Sequence, residues 1–343
     1  MRVKGMKDIL PPDMDKFRKI EEVFVRKCRA WGYEEIRTPT IEYLYLFTSA
    51  GTLTPSMLSS VYSFLDWDGW SGERVVLRPD GTIPAARLFI ENKKPRRLFY
   101  VENTFSFLGD ERERWQFGAE LIGEGEDIEI LSLFTEILRA LGIEPFLRIS
   151  HMGILKSYLG EGLEEFLEGK REVPDIKGKR GFLKNLKAIL SVEDEKPFTE
   201  LDEILKFLEE QNISYEVDIS MRAGFEYYTG FMFQAFYEGK RLGGGGRYDE
   251  LIPLLGGGNF PACGFALYFD SLKEFIRPDG RKIRVKVHDK SFRKLLPLIR
   301  EMEGRGYGII YSEEADIEVF PDSFLVGSEK IDNVEEVIKF LGL

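Results

Sequence analysis

The stretch Gln116-Phe117-Gly118-Ala119-Glu120-Leu121-Ile122-Gly123 carries two polar side chains in an otherwise apolar run, and we predict that Gln116 and Glu120 project into a common space. Three further patches place acidic, hydroxyl or phenolic groups beside glycines: Leu77-Arg78-Pro79-Asp80-Gly81-Thr82, Gly224-Phe225-Glu226-Tyr227-Tyr228-Thr229-Gly230 and Gly244-Gly245-Gly246-Arg247-Tyr248-Asp249. Carboxylates hold an ammonium group by charge-assisted hydrogen bonds, and a glutamate or tyrosine can accept a hydrogen bond from a ring N–H. Patches that converge on one cavity would therefore suit a cationic or amphoteric small ligand.

Each patch has a simpler interpretation when it is taken alone. Asp80-Gly81 is typical of a turn, and the pair Tyr227-Tyr228 is typical of packing between strands. The run Gly243-Gly244-Gly245-Gly246 fits a hairpin loop or a phosphate cradle, and it lacks the Lys-Ser/Thr that completes a P-loop. His151 and His288 are interpreted as ordinary polar or capping residues. The patches therefore carry an argument only as a set.

The composition is that of a folded, acidic protein. The 343 residues are 43% hydrophobic and 31% charged, enough for about two domains with buried cores. The net charge of −11 disfavours a large nucleic-acid surface. We expect no membrane span and no signal peptide, and we interpret Cys28 and Cys263 as reduced thiols of a cytoplasmic protein. No Cys or His cluster has metal-ligand spacing, so we predict no metal site and no cofactor.

Runs of strands with helices inserted between them predict an α+β protein with a mixed or antiparallel sheet flanked by helices. An apolar stripe predicts a first helix over Phe17–Trp31, with Asp13 as its cap. Strands are predicted at Tyr33–Pro39, Arg74–Arg78, Leu98–Phe105, Phe146–Ser150, Tyr215–Met221, Phe231–Tyr237 and Ala262–Leu267. Residues 151–213 are charged and helix-rich, which indicates an insertion into a core domain of residues 1–276. Residues 283–343 predict a small α/β domain.

Taken together and in order, the patches resemble the catalytic core of histidyl-tRNA synthetase and its paralogues, from Gly5 to about Leu272. The other segments that carry the resemblance are Gly5 to Pro11, the motif 1-like Gly32–Pro39, the motif 2 position at Leu98–Gly123 and the motif 3-like Gly264–Leu267. The resemblance implies the class II synthetase fold. It also implies a dimer interface formed by the Phe17–Trp31 helix and the Tyr33–Thr40 strand.

The same resemblance implies a histidine pocket. The family's pocket residues match Asp80, Thr82 and Gln116 at the α-ammonium group, and Glu120, Tyr228 and Tyr248 around the imidazole. Tyr227 is a further predicted histidine-binding residue. No catalytic residue is predicted, because three arginines of the family pattern are replaced.

Ser106 replaces the motif 2 arginine that grips the ATP α-phosphate and the amino-acid carboxylate. Ala223 replaces the arginine of the histidine-specific motif, and Ser271 replaces the motif 3 arginine that stacks on adenine. Losing one such donor typically lowers a rate by about 10²–10³. We therefore predict no synthetase activity, and Arg87 is a candidate to replace the lost charge at the carboxylate end.

A chain with the synthetase fold and a histidine pocket, but without the arginines needed for amino-acid activation, resembles the regulatory subunit of ATP phosphoribosyltransferase. Arg112-Glu113 before Gln116–Gly123, and Ser150–Ile154, are similar to that paralogue's segments. The resemblance implies a non-catalytic subunit in the first step of histidine biosynthesis. It would activate the short catalytic subunit and mediate histidine feedback, as a homodimer core within a hetero-oligomer and without tRNA.

Residues 283–343 are then interpreted as a degenerate anticodon-binding remnant. Two alternatives remain open. One is a diverged synthetase that still activates an amino acid, or ligates one to something other than tRNA. The other is a stand-alone paralogue that senses an amino acid or binds another protein.

Overall fold

The computed structural model describes residues 1–49, 59–67, 72–107, 109–123, 125–222, 228–277 and 282–343. The chain divides into two compact units, Met1–Arg277 and Pro278–Leu343. The strands of the first unit are β1 (Glu34–Glu35), β2 (Ile41–Tyr43), β3 (Ser63–Trp67), β4 (Gly72–Leu77), β5 (Arg97–Phe105), β6 (Glu113–Ile122), β7 (Phe146–His151), β8 (Lys177–Gly178), β9 (Ser214–Asp218), β10 (Phe231–Tyr237), β11 (Lys240–Arg247) and β12 (Ala262–Tyr268).

Within the described residues, the helices of the first unit are between 4 and 20 residues long. They are α1 (Pro11–Ala30), α2 (Leu44–Ser49), α3 (Thr82–Asn92), α4 (Asp127–Ala140), α5 (Met152–Leu159), α6 (Leu163–Leu167), α7 (Leu183–Leu190), α8 (Lys196–Glu210), α9 (Leu251–Leu254) and α10 (Phe269–Leu272). Among the described residues, no helix combines the length and the apolar character that a membrane span requires.

One large mixed sheet dominates this unit. Within the described residues its strand order is β1-β5-β6-β12-β11-β10-β7-β9-β8, and a smaller sheet has the order β2-β4-β3. The strands from β5 through β7 in this order pair antiparallel, whereas β1 pairs with β5 and β9 pairs with β7 in parallel. The predicted α+β class is therefore confirmed.

The predicted strand over Tyr33–Pro39 is shorter in the structure. Only Glu34 and Glu35 pair with β5. The backbone N–H of Thr38 donates instead to the carboxylate of Glu102, 2.5 Å away, and Pro39 has no N–H to offer a neighbouring strand.

Helix α1 forms as its apolar stripe predicts, but its start differs. The helix begins at Pro11, which suits the first turn because proline lacks the N–H that would stay unpaired there. Leu10 is the N-cap residue, so the predicted cap at Asp13 is wrong. Asp13 lies inside the first turn, where its carboxylate binds Lys16 at 3.2 Å and Lys273 at 3.1 Å.

The main core lies between one face of the large sheet and helices α1, α4 and α8. Aromatic rings dominate it: Phe24 contacts both Phe99 and Phe117, and Phe134 contacts both Phe233 and Phe265. Successive side chains of a strand point to opposite faces of a sheet, so alternate residues of β6, β10 and β12 project away from this core. That opposite face carries the cavity.

Helices α5 to α8 and the short strand β8 follow one another between β7 and β9, within the segment 151–213. His151 is the N-cap of α5, where its Nδ1 accepts a hydrogen bond from the Gly153 N–H at 3.1 Å. This confirms the interpretation of His151 as a capping residue.

The run Gly243–Gly246 is neither a hairpin loop nor a phosphate cradle, because all four residues lie inside strand β11. A Cβ atom at Gly243 would come within 2.1 Å of the carbonyl oxygen of Ala266, and one at Gly244 within 2.4 Å of that of Phe233. The run therefore permits close approach of β11 to both neighbouring strands.

The second unit is a small α/β structure. Its elements are β13 (Lys282–Val287), α11 (Phe292–Gly304), β14 (Gly308–Tyr311), β15 (Ile317–Val319), β16 (Phe324–Val326), β17 (Glu329–Ile331) and α12 (Val334–Phe340). The described strands form one sheet in the order β14-β13-β15-β16-β17. The ring of His288 lies 2.7 Å from the carboxylate of Glu318 and stacks on Phe320, as an ordinary polar residue does.

Candidate functional site

A cavity of about 460 Å³ opens on the face of the large sheet that α1 does not cover. Strands β6, β10, β11 and β12 contribute to its walls, together with the turn that follows β4. This volume is within the range of small-molecule sites. The polar groups of the wall are therefore candidate ligand contacts.

Asp80 lies in that turn and is only 2% exposed. A buried ion pair lies next to this turn: Arg78, two residues before Asp80, contacts the carboxylate of Glu102 at 2.8 Å. One oxygen of Asp80 accepts hydrogen bonds from the backbone N–H groups of Thr82 at 3.0 Å and Ile83 at 3.3 Å. Burial raises the pKa of Asp80, although these hydrogen bonds oppose the shift. A ligand cation beside it would favour its charged form.

Glu120 is 1% exposed and is not one of the described residues that line the cavity. Its Oε1 accepts hydrogen bonds from the hydroxyls of Thr82 at 2.8 Å and Tyr100 at 3.0 Å, and its Oε2 accepts one from Tyr248. Burial raises the pKa of Glu120 to about 8, the hydroxyl donors oppose the shift, and nearby Asp80 adds to it. The carboxyl group therefore holds its proton to a higher pH than an exposed glutamate does.

We call the buried group of Asp80, Thr82, Tyr100, Glu120 and Tyr248 the closed end of the cavity. Two glycines permit its packing. A Cβ atom at Gly264 would lie 1.9 Å from Oε2 of Glu120, and one at Gly118 would lie 2.2 Å from the ring of Tyr100. Both glycines are in strand interiors, where a missing side chain commonly marks a close approach.

A family model described as histidyl-tRNA synthetase matches residues 5–165 and 163–272. The chain belongs to the histidyl-tRNA synthetase family. Among its relatives, an ATP phosphoribosyltransferase regulatory subunit of Dehalococcoides mccartyi is 46% identical over 319 residues, covering 80% of this chain and 77% of the relative. A histidine–tRNA ligase of Methanosarcina acetivorans is 33% identical, covering 80% of this chain and 75% of the relative.

Solved structures show the same fold. A Bacillus halodurans protein described as an ATP phosphoribosyltransferase regulatory subunit/histidyl-tRNA synthetase superimposes with a TM-score of 0.75 at 23% identity, covering 99% of this chain and 96% of that one. The apo histidyl-tRNA synthetase of S. aureus gives a TM-score of 0.68 at 22% identity, with 99% of both chains covered. The predicted resemblance to the synthetase family and to its regulatory paralogue is confirmed.

The family's histidine-pocket positions come together in this chain. Of the predicted site residues, the cavity wall includes Asp80, Thr82, Gln116, Tyr228 and Tyr248. Glu120 lies behind that wall, and Tyr227 lies outside the described residues. Burial raises the pKa of the Tyr228 phenol, with Tyr268 and Asp80 adding to the shift, so this hydroxyl stays protonated at neutral pH.

Two of the positions at which the synthetase pattern has arginine also line the cavity, as Ser106 and Ser271. Ala223 lies outside the described residues. The prediction that Arg87 replaces the lost positive charge at the carboxylate end is wrong. Arg87 lies on α3, where it forms an ion pair with Glu42 of β2 at 2.7 Å, and it is not among the described residues of the cavity wall.

The cavity has cations that the sequence reasoning missed. Arg114 of β6 and Arg241 of β11 both line it, and we call this pair the open rim. The alternation of β6 could have revealed Arg114, which is two residues from Gln116 and therefore on the same sheet face. Tyr100 and Tyr268 were missed as well. Their roles depend on pairing with Gly118 and Gln116, a register that no local pattern reveals.

Proposed function

We propose that this chain is a non-catalytic regulatory subunit of ATP phosphoribosyltransferase, acting in the cytoplasm in the first step of histidine biosynthesis. The observation that carries the proposal is the 46% identity to relatives named as that subunit. The cavity supports it, because serines line the wall at two positions where the synthetase pattern has cationic groups. A developing phosphoryl charge would have no arginine at these positions.

The proposed effector is L-histidine. Its α-ammonium group suits Asp80, Thr82 and Gln116, which offer a carboxylate, a hydroxyl and an amide in one part of the wall. Its imidazole suits the phenols of Tyr228 and Tyr248, with Glu120 fixing Tyr248 from behind. Because Glu120 already accepts three hydroxyl hydrogen bonds, we assign it the role of positioning Tyr248 and Thr82.

The proposed partner is the short-form catalytic subunit, bound by a homodimer of this chain. Histidine can report to that partner only if it binds two states of the complex with different affinity. The acidic balance of the chain gives no support to tRNA binding. We also propose that residues 283–343 are a degenerate remnant of an anticodon-binding domain.

The test is the phosphoribosyltransferase rate of a short-form catalytic subunit, measured alone and with the full chain, across a range of L-histidine concentrations. We expect the chain to raise the rate and histidine to lower it again. A catalytic subunit whose rate and histidine response are the same with and without the chain would reject the proposal. A chain carrying Asp80→Asn should still activate but should need more histidine for inhibition.

A residual amino-acid-activating enzyme is the second candidate, since relatives 33% identical are named histidine–tRNA ligases. ATP–pyrophosphate exchange with each of the twenty amino acids separates the two candidates. We expect no exchange, and sustained exchange with any amino acid would favour the enzyme.

A further inference from the structure

A change of register between β10 and β11 determines where Arg241 points. Ala235 pairs with Gly243, but the next residue, Phe236, pairs with Arg241. Leu242 is therefore an extra residue, and the two strands form a β-bulge at this position.

The bulge moves Arg241 from one face of the sheet to the other. Gly243 pairs with Leu267, which lies in the core, so strict alternation would place Arg241 on the core face as well. The structure instead buries Leu242 completely in that core, and Arg241 lines the cavity. Bulges that redirect one side chain are frequent beside functional sites.

The side chain of Arg241 also has no competing partner among the described residues. Its guanidinium has no hydrogen bond or ion pair with any residue that the structure describes, and the residue is exposed. Arg114 is similar, since its ion pair with Glu111 is long, at 3.8 Å, and its side chain is 50% exposed. Both cations act on one phenol of the wall: burial raises the pKa of Tyr268, Arg241 and Arg114 oppose the shift, and Asp80 adds to it. The cavity thus places opposite charges around Tyr268.

We propose that Arg241, with Arg114 as a second cation, binds the carboxylate of the amino-acid ligand in place of the family's missing arginines. This inference rests on the proposed histidine effector and names the residues that recognise it. A guanidinium can donate two parallel hydrogen bonds to a carboxylate. By turning to a ligand, Arg241 would break no hydrogen bond or ion pair with the residues that the structure describes. The ligand would lie with its ammonium group at Asp80 and its carboxylate at the open rim.

The test is isothermal titration of the full chain, alone and with the catalytic subunit. The titrants are L-histidine, histamine, which lacks the carboxylate, and 3-(imidazol-4-yl)propionate, which lacks the ammonium group. Arg241→Ala should weaken L-histidine binding by about 10- to 100-fold and should weaken the propionate similarly. It should leave the already weaker histamine unchanged. Arg241→Lys should give an intermediate loss, because it keeps the charge but not the bidentate geometry.

The matched control is Arg300→Ala, which removes the same charge from an exposed site in the second unit. It should leave all three affinities unchanged. The inference is overturned if wild-type protein binds histamine as tightly as L-histidine, or if Arg241→Ala leaves L-histidine binding intact. It is also overturned if that variant weakens all three ligands equally. A wild-type chain that binds no ligand in either state would remove the histidine effector itself, and the inference with it.

Discussion

The ionisable groups at the closed end and at the open rim of the cavity differ in their surroundings. At the closed end, Asp80 and Glu120 are nearly inaccessible to solvent, and backbone N–H or hydroxyl groups donate hydrogen bonds to their carboxyl oxygens. At the open rim, Arg241 is exposed and has no partner among the described residues, and Arg114 has only a distant one. Buried ionisable groups need hydrogen-bond or ion-pair partners within the fold, whereas exposed charged groups can stay unpaired until a ligand binds.

We infer from this difference that residues of the closed end stabilise the structure of the site, whereas residues of the open rim are available to bind a ligand. A change at the closed end should reduce the free energy of unfolding, because it leaves buried polar groups unpaired. A change at the open rim should alter ligand affinity and leave the fold intact. Four measurements of stability test this division.

The largest loss of stability is expected for Arg78→Ala, directly behind the closed end. This substitution leaves the Glu102 carboxylate, itself 2% exposed, without its ion-pair partner. Breaking a buried pair in this way lowers the free energy of unfolding by about 3–5 kcal/mol. Urea unfolding followed by circular dichroism measures it, and a loss as small as that of a surface arginine would contradict the division.

Glu120→Ala should be the next most severe, at about 2–4 kcal/mol, because Thr82, Tyr100 and Tyr248 all lose their shared acceptor. Glu120→Gln is the matched control: it keeps the size and one acceptor oxygen, and should lose about 1 kcal/mol or less. Equal unfolding midpoints for the two variants would show that the hydroxyl network is not what stabilises this end.

The pH dependence of stability provides a third measurement. The pKa of Glu120 is about 8 in the folded chain, whereas the pKa of a glutamate in an unfolded chain is about 4.3. The folded state therefore binds more protons between these values, so this contribution is complete below about pH 4 and is lost as the pH rises through about 8. We expect stability to fall by up to about 1.4 kcal/mol per pH unit in this window. Urea titrations from pH 5 to 8 should show a shallower fall for Glu120→Gln, and identical slopes would contradict the assignment.

The smallest effect is expected for Arg241→Ala. An exposed side chain without partners among the described residues should change the free energy of unfolding by no more than about 0.5 kcal/mol. Thermal unfolding beside wild type and Arg300→Ala measures it. A loss above 1 kcal/mol would show that Arg241 supports the fold, and would weaken its assignment to the ligand.

Much of the fold could be predicted because its signals are local. The stripe on α1 and the strands β5, β7, β10 and β12 all follow from the spacing of apolar residues. The cap of α1 was missed because a proline at the first helical position can start a helix without a side-chain cap. The glycine run was misread because the same residues suit a turn and a crowded strand, and only the neighbouring strands distinguish them.

The residues of the candidate site were also only partly predictable from the sequence. Asp80, Thr82, Gln116, Tyr228 and Tyr248 were found through the family resemblance, and the structure places them around one cavity. Tyr100 was missed because its role depends on lying opposite Gly118 in the sheet. Arg241 was missed because the glycine run beside it was interpreted as a loop or a phosphate cradle and not as a strand. Strict alternation along that strand would also have placed Arg241 on the core face, because only the bulge at Leu242 turns it to the cavity.

The sequence by itself determined the α+β class, the family and the loss of arginine at the synthetase positions, because these depend on residue types and their order along the chain. Tertiary structure alone decided that Glu120 lies behind the cavity wall and that Arg241 faces the cavity. Burial, strand register and a one-residue bulge arise only when distant segments pack together, and they set the pKa of a carboxyl group and the direction of a side chain.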